Sequence, residues 1–291
     1  SLSETTDGGM TISSSFKLMD ENAAAGDVDA GFTLAFTDGS KLDVINAGNA
    51  AGSHAVSIPG SAGAEGVATT SVNQAQTGLD FGATSTVLGV EYHTASDFIA
   101  DGMKMSFSAS TDSGAAATAT YRVDSHYAIG ATYVTDLGDS AVTIGAGYSA
   151  SEGSKTGTAV VSDDGGMHVG ISAVTGNLTV AVGFADGDKN GLGSYRATDS
   201  YDGEVVKAGV KYVSGDLTFN VGVAAGEGQD NAAGATGGSD DSKDVTSASV
   251  SYAVASGVTA ILGYTTMDAS NDGSSTTDDG SAWYIGANMA F

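Results

Sequence analysis

The sequence predicts an all-β fold, an up-and-down antiparallel β-barrel of about sixteen strands that takes in the whole chain, residues 1–291. Apolar and small polar residues alternate with a period of two along most of the chain, as they do in strands whose two faces meet different surroundings. Short and long connections also alternate, which is typical of strands that run up and down between two rims. The chain has 43 glycines and one proline, and proline is rare in sheets because it cannot donate a ladder hydrogen bond.

The last eleven residues show the alternation most clearly. In SAWYIGANMAF, residues 281–291, Trp283, Ile285, Met289 and Phe291 fall on one face and smaller residues on the other. This length matches the roughly 9–11 residues with which a tilted strand crosses a bilayer. The segment resembles the closing strand of a bacterial outer-membrane barrel. The sequence has no apolar stretch of about 18 residues, so no transmembrane helix is expected.

The other strands are expected as successive hairpins. Fifteen alternating runs are visible, and because single-chain bacterial barrels have even strand numbers, one more strand is expected before Ser1. The region 112–136 leaves two alternatives open, one very long strand or a hairpin that turns at Asp124-Ser125. Tight turns are expected near 5–9, 38–40, 95–102, 136–139, 175–177, 214–216 and 255–257, and longer loops at 20–27, 49–84, 112–124, 151–166, 187–203, 227–244 and 268–280.

The basic residues indicate which face meets water. Six of the ten lysines and arginines lie in strand segments, all on the face opposite the apolar residues. On a lipid-facing surface each would cost about 2–4 kcal/mol near the bilayer centre. The polar face is mainly Thr, Ser, Asn and Gly, which favours a water-filled interior over the charged outer face of a soluble sandwich. The six are Lys17, Lys41, Lys104, Arg122, Lys207 and Lys211, and Asp43 and Glu91 share their face.

Together these patterns resemble the trimeric general-diffusion porins of alphaproteobacterial outer membranes, the Rhodobacter-type family. The resemblance covers essentially the whole chain through the opening SETTDGGMTISSSFKL, the Gly/Ala-rich loop at 49–84, the hairpin VEYHTASDFIADGMKMSFSAS and the terminal WYIGANMAF. It implies a homotrimer in the outer membrane of a Gram-negative bacterium, in contact with lipopolysaccharide. It also implies a water-filled channel for passive diffusion of small hydrophilic solutes and ions, without catalytic residues.

The resemblance further implies roles for individual residues. In that family the loop after the fifth strand folds into the lumen, where its acidic residues face basic residues on the opposite wall. Here the loop at 49–84 takes that place, with Glu65 and Asp80 as its acids and the six strand bases as candidates for the wall. The loop is less acidic than is usual in the family, which implies either a weaker field across the lumen or a contribution from Asp43 and Glu91 on the wall.

Charge and motifs narrow the remaining possibilities. A net charge of −25 argues against nucleic acid as a partner, since phosphate binding needs clustered bases. The long loops are acidic, which leaves two interpretations open: solvated charged loops without a bound ion, or sites for Ca²⁺ or Mg²⁺ that bridges to lipopolysaccharide phosphates. Asp186, Asp188 and Asn190 match the first half of a calcium loop, although Ala197 stands where a bidentate Glu belongs.

Two other classes of function compete with the channel. The main alternative is an acidic, calcium-stiffened surface-layer or adhesin-like structural protein, against which stands the absence of a short sequence repeat. An enzyme is not expected. The four histidines, His54, His93, His126 and His168, lie in separate elements without metal-ligand spacing or a nucleophile motif. No cofactor is therefore expected.

Overall fold

A computed structural model describes residues 2–14, 31–45, 49–60, 89–111, 122–154, 164–187, 203–230, 239–271 and 276–289. These residues contain fifteen strands in one sheet, in which every strand lies beside its neighbours in the chain. The predicted all-β, up-and-down antiparallel fold is confirmed, with fifteen strands described against about sixteen predicted. In the part of the chain that the structure describes, no helix has the length and apolar character needed to span a membrane.

The first five strands have four or five described residues each, and the later ones have nine to seventeen. Of the two alternatives for 112–136, the hairpin that turns at Asp124-Ser125 is excluded, because both residues lie inside one continuous strand. In chain order the strands are β1 (Leu2–Thr5), β2 (Thr11–Ser14), β3 (Phe32–Ala35), β4 (Lys41–Val44), β5 (Gly89–His93), β6 (Met103–Thr111), β7 (Arg122–Leu137), β8 (Ser140–Ser154), β9 (Asp164–Thr175), β10 (Leu178–Gly187), β11 (Gly203–Ser214), β12 (Leu217–Asp230), β13 (Ser239–Ala255), β14 (Val258–Asn271) and β15 (Thr276–Met289).

The chain divides into two compact units, each described by itself below. Their described residues are 2–14, 31–45, 49–54, 89–111, 122–133, 146–154 and 164–165 in the first unit, and 55–60, 134–145, 166–187, 203–230, 239–271 and 276–289 in the second.

The β3–β4 connection shows how the tight turns are encoded. Gly39 has a φ of 87°, a left-handed conformation that glycine adopts without steric cost. Asp38 Oδ1 accepts hydrogen bonds from Ser40 Oγ at 2.7 Å and from Ser40 N at 2.9 Å. These two bonds hold the pKa of Asp38 below its usual value. The predicted turn at 38–40 is confirmed, and its Asp-Gly pair provides both the geometry and the local hydrogen bonds.

The exposure of the two faces of the sheet is the opposite of that in a soluble protein: the apolar face is exposed, and the polar face is buried. In the second unit, Val221 of β12 is 50% exposed, whereas Lys207 of the neighbouring strand β11 is 1% exposed. In the first unit, Phe107 is exposed and the flanking Ser106 and Ser108 are buried. The parity predicted from the sequence is therefore confirmed: apolar residues form the outward face, and small polar and basic residues form the opposite, polar face.

Candidate functional site

Residues 49–60, here called the docked segment, lie against the polar face of the sheet. The segment begins at Asn49, whose Oδ1 accepts hydrogen bonds from Ala51 N at 2.9 Å and Gly52 N at 3.4 Å. These bonds start a 3₁₀ turn at Gly52–His54, in the way that Asn caps a helix. Beyond the turn, exposed and buried residues alternate from 55 to 58, so this part is extended, with one side against the sheet.

In the first unit, the start of the docked segment contacts β6 and β7. Ala50 N donates a hydrogen bond to Ser108 Oγ at 3.0 Å, and Ala50 packs against Ala128. A Cβ atom added to Gly130 would lie 2.3 Å from Ala50 O and 2.5 Å from His54 Cδ2. Because such distances are too short for any real contact, the segment can approach β7 this closely only where the strand has no side chain.

In the second unit, residues 55–58 contact β9 and β10 through apolar side chains. Val56 and Ile58 are buried and pack with Ala181 of β10. A Cβ atom on Gly170 of β9 would lie 2.9 Å from Val56 Cβ. These contacts bury the side of the segment on which Val56 and Ile58 lie, while Ala55 and Ser57 remain exposed.

The end of the docked segment lies against β11 and β12, with backbone in direct contact with backbone. A Cβ atom on Gly209 would lie 1.8 Å from Pro59 O, and one on Gly222 would lie 2.5 Å from the carbonyl carbon of Gly60. Ser247 Oγ of β13 donates a hydrogen bond to Gly60 O at 2.5 Å. The strand glycines that contact the segment, Gly130 in the first unit and Gly170, Gly209 and Gly222 in the second, are called the glycine seat.

A charged cluster lies on the polar face of the first unit. The strand register sets Asp43 directly opposite Glu91, and Lys41 directly opposite His93. Asp43 Oδ2 lies 2.9 Å from Lys41 Nζ and 3.1 Å from His93 Nε2. Glu91 Oε1 lies 3.5 Å from His93 Nε2. These four residues and Ser106, the β6 partner of His93, are called the polar cluster.

Hydrogen bonds connect the polar cluster to the docked segment. Ser106 Oγ lies 2.8 Å from His93 Nδ1 and 2.8 Å from His54 Nε2. His54 Nδ1 lies 2.7 Å from Thr132 Oγ1. Ser53 Oγ donates to Glu91 Oε1 at 3.2 Å. The result is a hydrogen-bonded chain that runs from Thr132 through His54, Ser106 and His93 to Asp43. The 3₁₀ turn is bonded to the sheet through the side chains of Ser53 and His54.

A pocket of about 300 Å³ opens beside these groups, and its lining includes Lys41, Ser53, His54, His93, Lys104 and Ser106. Two imidazoles and two lysines thus border one small solvent-filled space. This chemistry favours an anionic or a metal-coordinating ligand, depending on which groups bind.

The predicted channel residues fall into three groups. Lys41, Asp43 and Glu91 come together in the polar cluster, and Lys104 lines the same pocket. In the second unit, Lys207 is buried between Gly183 and Ala224 of the neighbouring strands, and Lys211 is exposed near the end of β11. Arg122 begins β7, but its side chain is outside the described residues, as are all of Lys17, Glu65, Asp80, Asp188 and Asn190.

The structure brings two of the four histidines close to the same serine. His54 and His93 lie in different elements, as expected, but both contact Ser106, and His93 lies with Asp43 and Glu91. The structure thus adds an arrangement that the sequence did not indicate: one ligand atom each of His93, Asp43 and Glu91 lies within 4.8 Å of the others. The available signal was the spacing of Glu91 and His93, which places both on one face of a strand.

Acidic residues form two rows on the exposed face of the second unit. Strand pairing sets Asp186, Glu204 and Glu227 directly opposite one another across β10, β11 and β12. It does the same for Asp244, Asp268 and Asp279 across β13, β14 and β15. Like charges in such positions repel each other. Bound cations would reduce the repulsion between the carboxylates of these acidic rows. The calcium loop that begins at Asp186 stays a prediction.

Comparisons with known proteins show the type of fold. No family model and no curated protein matches the sequence. A porin structure refined at 1.8 Å resolution is 18% identical, with a TM-score of 0.64 over 100% of this chain and 90% of that chain. Salmonella typhi OmpF in complex with daunomycin is 16% identical, with a TM-score of 0.62 over 90% and 77%. A mutant porin of Rh. blastica is 19% identical, with a TM-score of 0.55 over 99% and 87%. The chain has the fold of the bacterial porins; an alphaproteobacterial origin stays a prediction.

Proposed function

We propose that this chain is an outer-membrane channel through which small hydrophilic solutes and ions diffuse passively. The observation that carries the proposal is the reversal of the faces, with Val221 half exposed and Lys207 buried. An outward apolar face is stable against lipid tails, and a polar face is stable around water. Barrels of about sixteen strands leave an aqueous channel rather than a packed core.

The docked segment is proposed to narrow this channel. The glycine seat allows it to lie close to the wall, and the side that faces away from the wall has the small, uncharged Ala55 and Ser57. These residues limit the size of a passing solute without selecting for charge. Charge selection is assigned to the exposed Lys41 and Lys104 on the wall, with Glu65 and Asp80 as the acids of the longer loop.

The function is tested by conductance. We expect the detergent-purified protein to produce stepwise current increases in a planar lipid bilayer, with step heights that rise with salt concentration. In a KCl gradient, the reversal potential should indicate cation preference, because the net charge of −25 outweighs the opposite effect of the wall lysines. Heat-denatured protein serves as the control. Folded protein that produces no steps, or that chelator alone releases from cells, would support the surface-layer alternative.

The assembly is proposed to be a homotrimer, as the resemblance to the Rhodobacter-type porins implies. Light scattering in detergent, corrected for bound detergent, should give three times the 28.5 kDa chain mass.

Divalent cations are proposed to bridge the acidic rows to lipopolysaccharide phosphates. In bilayers that contain lipopolysaccharide, chelation by EDTA should lower Tm by a few degrees, because exposed charge pairs are individually weak. Replacing Asp244, Asp268 and Asp279 together by Asn should abolish most of this response. The matched control replaces Asp136, Asp139 and Asp216, which lie at tight turns. If EDTA lowered the Tm of the Asp244, Asp268 and Asp279 variant as much as that of the wild type, these residues would not bind the bridging cations.

A further inference from the structure

We propose that Asp43, Glu91 and His93 form a binding site for a first-row divalent transition ion, with Zn²⁺ as the ion that suits it. Each residue offers one ligand atom, and the three atoms lie within 4.8 Å of one another. The site is part of the β4–β5 wall and does not involve the acidic rows. It can be tested in detergent whether or not the protein conducts, so its failure and failure of the channel proposal are separate results.

The distances between the donor atoms fit a metal ion. At the metal–ligand distances of zinc sites, about 2.0–2.1 Å, two ligands of a tetrahedral ion are about 3.3 Å apart. His93 Nε2 lies 3.1 Å from Asp43 Oδ2 and 3.5 Å from Glu91 Oε1. The two distances bracket the tetrahedral value, and the third pair of donors, on Asp43 and Glu91, lies within 4.8 Å. Side-chain rotations would therefore place all three donors around one ion, leaving the fourth position for water.

The charges of the cluster also favour a bound cation. Glu91 is only 4% exposed, and the ladder sets its carboxylate directly opposite that of Asp43. Two carboxylates this close, one of them buried, repel each other unless a positive group lies between them. The imidazole nitrogen decides the class of ion, because Ca²⁺ and Mg²⁺ take oxygen ligands whereas zinc accepts nitrogen and oxygen together.

The surrounding hydrogen bonds are those of a prepared ligand sphere. His93 Nδ1 contacts Ser106 Oγ at 2.8 Å, and an outer partner of this kind holds a ligating imidazole in the required tautomer. Thr33 Oγ1 donates to Asp43 Oδ1, and Ser53 Oγ donates to Glu91 Oε1 at 3.2 Å. Each carboxylate is thus oriented by a hydroxyl.

An ion can bind to His93 without leaving any ring nitrogen of His54 or His93 without a partner. With His93 Nε2 on the ion, Nδ1 donates to Ser106 Oγ, Ser106 donates to His54 Nε2, and His54 Nδ1 donates to Thr132 Oγ1. Without the ion, the same contacts run in the opposite direction and end with His93 Nε2 donating to Asp43. Binding therefore exchanges the tautomers of both histidines, and every ring nitrogen keeps a partner.

Lys41 opposes binding. Its ammonium group is 2.9 Å from Asp43 Oδ2, and the side chain is 45% exposed. Because it borders the adjoining pocket, it can turn into solvent when an ion arrives. The ion displaces one favourable charge contact, so removing the lysine should strengthen binding.

The test uses purified, metal-free protein in detergent, titrated with Zn²⁺ by calorimetry and with Co²⁺ by visible absorption. We expect one tightly bound ion per chain and the intense absorption of four-coordinate Co²⁺. His93→Gln and Glu91→Gln should weaken binding by more than tenfold, and Ser106→Ala by about 10–100-fold, the range seen for outer-sphere partners. Lys41→Met should tighten it. Asp268→Asn, which removes a carboxylate from an acidic row, is the matched control and should have no effect.

Two results would overturn the proposal. One is wild-type protein that binds no Zn²⁺ tightly or gives only the spectrum of hydrated Co²⁺. The other is His93→Gln and Glu91→Gln that bind as the wild type does. Misfolding cannot imitate the expected pattern, because Lys41→Met is expected to gain affinity, and heat-modifiable gel mobility identifies any variant that has not folded.

Discussion

Val221→Arg is expected to destabilise the protein in phospholipid vesicles by about 2–4 kcal/mol, the cost of a cation on the lipid face near the bilayer centre. Val221 lies in the outward apolar row of β12 and is half exposed. If this surface faced water, the same change would alter stability by no more than about 0.5 kcal/mol. Equilibrium unfolding in urea, with the protein inserted in vesicles, measures the difference.

The depth of the substitution provides the control. Val254 is 56% exposed on the same apolar parity and lies two residues before the Ser256-Gly257 turn. Val254→Arg should cost only about 0–1 kcal/mol, because its guanidinium reaches the interface. Equal effects at the two positions, or a negligible effect at Val221, would mean that the apolar face does not lie in a membrane.

Gly209→Ala is expected to increase single-channel conductance and current noise by dislodging the end of the docked segment. The new Cβ would lie 1.8 Å from Pro59 O, and no side-chain rotation can relieve a clash between a Cβ atom and backbone. Overpacking of this kind costs roughly 1–3 kcal/mol, which corresponds to about a 5- to 150-fold loss in the docked-to-free ratio. Planar-bilayer recordings measure the step height, and vesicle swelling with sugars of increasing size measures the sieve.

Gly52→Ala is the matched control for this prediction. It adds the same methyl group to the docked segment itself, where the nearest atom would be Asn49 Cβ at 4.0 Å. Its conductance should equal that of the wild type. Gly222→Ala should reproduce the effect of Gly209→Ala, since its Cβ would lie 2.5 Å from the carbonyl carbon of Gly60. Wild-type conductance in both strand variants would show that the segment does not restrict the channel.

The sequence predicts the structure well where the identity of one or two residues determines the local backbone conformation or the face on which a side chain lies. Alternation in β12 identified its outward face, because lipid and water impose opposite demands on neighbouring positions. Asp38-Gly39 identified its turn, because a positive φ restricts the choice of residue. Asp124-Ser125 left two alternatives open for the complementary reason: both residues are common in turns, yet β7 simply continues through them.

The candidate site could not be predicted, because it depends on register. Asp43 and Glu91 are partners across β4 and β5, although residues 45–88 separate these two strands in the sequence. A shift of two residues would leave every side chain on its face and give each a different partner. The glycine seat was missed for a related reason. Gly209 on a polar face indicates only a small residue, and its meaning comes from the backbone of Pro59, which alternation does not place.

The pairing of strands in chain order makes the architecture modular. Excising residues 203–230, the β11–β12 hairpin, would bring β10 beside β13 with their antiparallel directions intact, and no connection would have to cross another. The diameter of a β-barrel grows with its strand number, so a barrel with two strands fewer would be narrower. Gly209 and Gly222 would leave with the same hairpin. One hairpin thus carries two of the four glycines of the seat, so in the proposed channel the strand number and the seating of the docked segment cannot be changed independently by that route.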